Sequence, residues 1–149
     1  MKRSLLICLL ALAAGAVPAH AADPRLWATV NVCDTEQHPN EIGIRAALPA
    51  RHARASLRFR VQYHDLAADR WRWVRDADSG WRKAGRVRGS GWSFEVTGDG
   101  TPILRGVVAY RWTRHGKVVG RAHRLTETGH RSTAGADPAG FSAATCRIS

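Results

Sequence analysis

Apolar and polar residues alternate along most of the chain from Leu26 onward. SLRFRVQYH places Leu57, Phe59, Val61 and Tyr63 on one side and Arg58, Arg60, Gln62 and His64 on the other. That period of two marks a strand with one buried face. GWSFEVT repeats it, with Trp92, Phe94 and Val96 against Ser93, Glu95 and Thr97. ILRGVVAYRWT offers Leu104, Val108, Tyr110 and Trp112 on one face, with Arg105, Val107, Ala109 and Arg111 on the other. WATVNV and EIGIRAAL supply two earlier strands, and glycine, proline or aspartate punctuates the runs.

TRHGK follows the strand ending at Trp112, and its His115-Gly116 supplies a hairpin turn, so KVVGRAHRL is expected to return antiparallel. HDLAAD reads as a second hairpin loop, leading from the Leu57 strand into RWRWV. Nowhere do apolar residues recur at helical spacing for three turns, and Pro49 interrupts the alanines between Ala46 and Ala55. Short strands between turn signals, without helices, predict an all-β antiparallel sandwich of about seven to eight strands. TAGADPAGFSAATC lacks alternation; the expectation there is one last short strand over 141–145, anchored in the core by Phe141.

Ahead of this pattern, Met1-Lys2-Arg3 gives a basic start, Leu5 to Val17 an apolar run, and Pro18-Ala19-His20-Ala21 a small-residue end. This order of features is that of a secretory signal peptide. The run is shorter than the about 20 apolar residues that a membrane span needs, and no second run follows. The expectation is a cleaved leader over 1–21 and a single exported domain over 22–149, with no membrane span. Cys8 leaves with the leader; Ile7 before it and its place inside the apolar run speak against lipidation. Cys33 and Cys146 then remain in an oxidising space, and an even pair there reads as one disulfide. In the chain-entropy model a closed loop of about 100 residues contributes up to roughly 4.7 kcal/mol.

The hairpin LRGVVAYRWTRHGKVVGRAHRLT, with an aromatic pair near the end of one strand and a glycine turn into a basic partner, resembles the last two strands of immunoglobulin-like and fibronectin-type sandwiches. With WATVNVCD at one end and GHRSTAGADPAGFSAATC at the other, the exported chain is similar to a family of secreted proteins of soil actinobacteria. The first likeness implies an immunoglobulin-like fold. The second implies export, and it carries no reaction or catalytic residue across. The cysteines lie near the two ends, so the central bridge of antibody domains does not transfer.

Charge narrows the partners. Lys and Arg number 23 against 12 Asp and Glu, a net +11, and loss of Lys2 and Arg3 leaves +9. Beyond the leader only Lys83 and Lys117 are lysines; the other basic residues are arginines. Such a surface attracts polyanions. A GC-rich genome also writes arginine and alanine without any ligand, so composition alone leaves both readings open.

RWRWV is the most informative stretch. With Trp71 and Trp73 facing inward like Phe59 and Tyr63, Arg70 and Arg72 would join Arg58 and Arg60 in an outward stripe. Like charges opposite one another across strands cost a few tenths to about 1 kcal/mol. Either an acid such as Glu95 interleaves, or the stripe holds an anionic polymer through bidentate guanidinium contacts. The inverted arrangement would instead expose Trp71 and Trp73 as a stacking platform. WRKAGRVRG reads as a loop that carries Trp81, Arg82, Lys83, Arg86 and Arg88, with Trp81 the tryptophan chosen as exposed. No nucleic-acid motif accompanies it.

Histidines 115, 123 and 130 sit on a turn, a strand and a loop, too scattered for a zinc site, and Ser132 beside His130 lacks the elbow of a nucleophile. No cofactor or metal is expected. The sequence therefore predicts a secreted, monomeric, non-catalytic module that engages an anionic extracellular or envelope polymer through Arg58, Arg60, Arg70 and Arg72. A carbohydrate-binding module using exposed tryptophans and a small secreted hydrolase are the alternatives.

Overall fold

The computed structural model describes residues 25–49, 53–84, 89–98, 100–131 and 134–149, so the expected leader, Arg86, Arg88 and Ser132 lie outside the described residues. The strands are β1 (Trp27–Cys33), β2 (Glu41–Ala47), β3 (Arg54–Asp65), β4 (Arg70–Asp78), β5 (Arg82–Lys83), β6 (Gly89–Glu95), β7 (Ile103–Arg114), β8 (Lys117–Leu125) and β9 (Cys146–Arg147). β1, β2 and β6 form a three-stranded sheet in that order. The second sheet runs β4-β3-β7-β8, with the short β5 on β3 and β9 on β7. Every strand pairing is antiparallel. No helix long and apolar enough to cross a membrane occurs among the described residues.

The period-two positions are the buried ones. Leu57, Phe59 and Val61 from β3 and Leu104, Val108, Tyr110 and Trp112 from β7 join Ala28, Val30, Ile42, Ile44 and Ala46 of the smaller sheet in one core. β3 and β7 pair continuously from Arg54 opposite Thr113 to Tyr63 opposite Leu104. Gly106 of β7 marks where the two sheets approach most tightly, since a Cβ there would lie 2.7 Å from both Ile44 Cδ1 and Thr126 Cγ2. Tyr110 donates its hydroxyl to the Trp27 carbonyl at 2.8 Å, a polar tie from one sheet to the other. Burial pushes its phenol pKa up, so the hydroxyl stays a donor. The β7–β8 turn uses His115 and Gly116 as expected, both at positive φ (47° and 76°).

β4 departs from the expectation. Its four-residue loop, 66–69, sets Asp65 opposite Arg70, and this pairing puts Tyr63 opposite Arg72, His64 opposite Trp71 and Gln62 opposite Trp73. Paired residues share a pleat, so the tryptophans face outward with His64 and Gln62, while Arg70 and Arg72 fall on the other side. The stripe of four arginines thus does not form. The register then jumps: Arg60 opposes Asp78, so two steps on β3 match five on β4 and the strand bulges between Trp73 and Asp78.

The C-terminal segment lies along β1. Val30 exchanges backbone hydrogen bonds with Ala143 at 2.9 and 3.0 Å, and Asn31 Nδ2 donates to the Gly135 carbonyl at 2.8 Å. Trp27 stacks on His130 with ring centroids 4.2 Å apart. Cys33 and Cys146 are disulfide-bonded across a sequence separation of 113. The strand expected over 141–145 does not form. Ser142 has its carbonyl bonded by Thr128 and its hydroxyl by the His130 N–H, which leaves a single bridge at Ala143; the closing strand is β9 instead. Phe141 packs against the core as expected.

Urea unfolding should show Cys33→Ala/Cys146→Ala less stable by about 2–5 kcal/mol, the usual cost of losing a bridge that closes a long loop in a small domain. Gly106→Ala should cost about 1–3 kcal/mol by overpacking against Ile44, and a neutral result would show that the sheets part more readily than the packing implies.

Candidate functional site

The outer face of the larger sheet carries the chemistry. β3 contributes Arg58, Arg60, Gln62 and His64; β7 contributes Arg105 and Arg111, opposite Gln62 and Ser56. β4 adds Trp71 and Trp73, and Trp81 stands just before β5. Strand alternation alone delivers these side chains to one surface, because their neighbours Leu57, Phe59, Val61, Leu104, Val108 and Tyr110 fill the core.

On this face arginines and tryptophans interleave. The Arg60 guanidinium carbon lies 4.0 Å from the centre of the Trp73 ring, Arg105 lies 4.0 Å from Trp71, and Arg111 lies 4.2 Å from Trp81. These are cation–π stacks, each favoured by about 0.5–1 kcal/mol at exposed positions. Trp73 remains 48% exposed and Trp81 39% exposed, so Trp81 is open to solvent as expected. A fourth pair, Arg82 over Trp92 at 3.8 Å, lies elsewhere. Trp92 sits opposite Ile44 on the inner side of the smaller sheet, and Arg82, opposite Leu57, closes the gap between the two sheets at their edges.

Carboxylates neutralise only part of the positive charge. Arg58 Nε donates to both oxygens of Asp78 at 2.7 and 3.0 Å, and its Nη2 also bonds Oδ2. This fork lowers the Asp78 pKa and raises that of Arg58. Arg72 donates to Asp65 at 2.5 Å; the Asp65 pKa is lowered first by the Ala68 backbone N–H and then by this arginine. Glu95 does not interleave with the arginines, because it stands opposite Glu41 in the other sheet.

Arg60, Arg105 and Arg111 have no carboxylate partner within 4.0 Å among the described residues. Arg105 donates its Nε to Gln62 Oε1 at 2.9 Å, and burial lowers its pKa. The Nε atoms of Arg60 and Arg111 are buried without a hydrogen-bond partner. Stacking occupies the face of a guanidinium plane; the in-plane donors that grip carboxylate, sulfate or phosphate are a separate resource. The smaller sheet offers a different surface, a groove where His38 Nδ1 meets Glu41 Oε2 at 3.3 Å beside Arg45.

The residues singled out from sequence therefore divide. Arg58 and Arg60 share the face, Arg70 and Arg72 do not, and Arg82 and Lys83 form β5 rather than a loop, with Lys83 opposite Ser56 on the outer side. Arg105 and Arg111 join the site without having been singled out, although alternation had already placed both on the polar face of their strand. His115, His123 and His130 stay apart on the β7–β8 turn, on β8 and against Trp27. No group of three or more histidine, cysteine, aspartate or glutamate side chains converges to hold a metal among the described residues.

No family model, curated protein or solved structure matches this chain.

The ion pairs Arg58–Asp78 and Arg72–Asp65 carry a pH signature. A carboxylate whose pKa is lower in the folded state stabilises above its unfolded value of about 3.9, and that stability disappears as pH falls through the folded value. Unfolding followed by denaturant from pH 7 down to the acid limit should thus show stability falling below about pH 4, with a shallower fall in Asp78→Asn. An unchanged acid limb in that variant would mean that the Arg58 fork does not hold Asp78 ionised.

Proposed function

We propose that the protein is a secreted, immunoglobulin-like sandwich domain that binds a linear polyanion, without catalysis, on the outer face of its larger sheet. The observation that carries this reading is the set Arg60, Arg105 and Arg111: three guanidinium groups side by side with tryptophans, none with a carboxylate within 4.0 Å among the described residues. The net charge of +9 left without Lys2 and Arg3 acts in the same direction over a longer range. Stacking holds each guanidinium in a fixed plane, so less side-chain freedom is lost when an anion binds than for a free lysine. Arg105 and Arg111 are six residues apart on one strand, about 20 Å, a reach suited to an extended chain rather than a single small anion. The disulfide fits an oxidising, extracellular setting.

Exposure of Trp73 and Trp81 favours a second reading, carbohydrate binding by ring stacking. Against it, one face of Trp71, Trp73 and Trp81 is already occupied by a guanidinium, which removes half of each platform. Polyanion binding accounts for both partners in each stack.

The protein should be retained on a heparin column at low salt and released as sodium chloride rises. Arg60→Gln and Arg111→Gln should each lower the slope of log affinity against log salt by about one, with the near-ultraviolet dichroism of the tryptophan-rich fold retained. Absence of retention, retention insensitive to salt, or wild-type slopes in both variants would overturn the reading. Tight binding to an uncharged polysaccharide would favour the sugar reading instead.

A further inference from the structure

A second site of different character lies at the end of the molecule where β3 leaves the core. There residues of the larger sheet and those flanking β2 and β6 bound an opening of about 300 Å3, with Tyr63, Val74, Val96, Leu104 and Ile148 among its walls and Arg75 as the one charged side chain among the described residues that line it. Leu104 and Ile148, at 0% and 4% exposure, make its floor. It belongs to the inner side of the larger sheet, since Tyr63 and Leu104 share the pleat opposite to that of Gln62 and Trp73. The polyanion face is thus on the other side of the same strands.

The bulge in β4 builds this opening. The register jump between Trp73 and Asp78 releases Val74 and Arg75 from pairing with β3, and Asp76 adopts a left-handed φ of 62° to make the detour. Such a bulge re-aims side chains, and it brings Val74 against the core while Arg75 reaches the mouth. The opening's volume of about 300 Å3 falls at the lower end of the range of ligand sites. Asp34, an acid at this end, already accepts hydrogen bonds from the Ser149 N–H and hydroxyl and from the Asn40 N–H, so its charge is engaged there. That leaves Arg75 without an ion pair within 4.0 Å among the described residues, beside apolar walls.

We propose that this opening binds a small anionic amphiphile, with an apolar chain or ring against Tyr63, Val74 and Val96 above the floor of Leu104 and Ile148, and a carboxylate on Arg75. The carboxylate gains a charge-assisted, bidentate contact, and the apolar part leaves water for Tyr63, Val74 and Val96, the half-buried walls that face solvent. One arginine at the rim of an apolar pocket selects against a cation and gains more from a carboxylate than from a neutral head group.

Octanoate is the probe. Titrated into the disulfide-bonded protein, it should give saturable methyl shifts at Val74, Val96, Leu104 and Ile148 by two-dimensional NMR, while octylamine gives none. Arg75→Gln, a change at an exposed residue that should leave the fold intact, should weaken octanoate about tenfold or more. Val96→Trp should fill the space and abolish the shifts, with the amide resonances of β3 and β7 away from the opening unchanged as a sign that the rest of the molecule is native. Arg60→Gln should leave octanoate binding as it was. Absence of shifts, equal binding of octylamine, or full affinity in Arg75→Gln would overturn the proposal, as would shifts confined to the indoles of Trp71 and Trp73. The octanoate and octylamine shifts and the Arg75→Gln result are independent of whether the outer face binds heparin.

Discussion

The continuous antiparallel register of β3 with β7 is the constraint on which the remaining structure rests. Both strands alternate without interruption through this pairing, so a single pleat direction divides their side chains. Leu57, Phe59, Val61, Val108 and Tyr110 enter the core, each with 1% exposure or less. Full burial of side chains of this size is worth about 1.5–3 kcal/mol each, far more than any surface contact on the other face. A slip of one residue would bury Arg58, Arg60 and Arg111 and expose the core, an exchange no other interaction in the molecule could offset. The placement of the arginines is therefore a by-product of packing. Their use follows from it.

Having forced like charges together, the fold manages them in two ways. Where an acid is available the charge is paired, as in the fork between Arg58 and Asp78. Where no described carboxylate comes within 4.0 Å, an aromatic ring takes its place, as Trp73, Trp71 and Trp81 do for Arg60, Arg105 and Arg111. A ring quadrupole lowers the cost of a cation without cancelling its charge, so the field of the surface survives. Ion pairing would have removed that field. Arginine rather than lysine suits this arrangement because a planar, weakly hydrated guanidinium stacks while an ammonium keeps its water.

The edges and ends of the sheets are handled separately. β1 is covered by the C-terminal segment, held by the bridge at Ala143, the contact of Trp27 with His130 and the disulfide. β8 is left as an edge of the larger sheet, with Val118, Val119 and Leu125 exposed. Lys117, Arg121 and Arg124 along the same strand oppose pairing with a second copy, since like charges would meet. At the far end the sheets are not closed by large side chains, and the space near Leu104 and Ile148 results from the β4 bulge.

Alternation and cysteine number were enough to determine the strand-rich class, the core side of β3, β6 and β7, the hairpin at His115-Gly116 and the pairing of Cys33 with Cys146. Each depends on local period or on counting, which a linear sequence contains in full. The orientation of β4 was not available in that way. RWRWV alternates equally well with either face inward, and only the length of the loop before it, together with the bulge after it, selects the side on which tryptophan lies. The acids that neutralise Arg58 and Arg72 were likewise hidden. Asp78 lies twenty positions from Arg58 and reaches it only because the bulge shifts the register, whereas Glu95, nearer in appearance to a partner, belongs to the other sheet. Period is a property of the chain; which strand meets which, and in what register, is decided by the loops and the packing of both sheets at once.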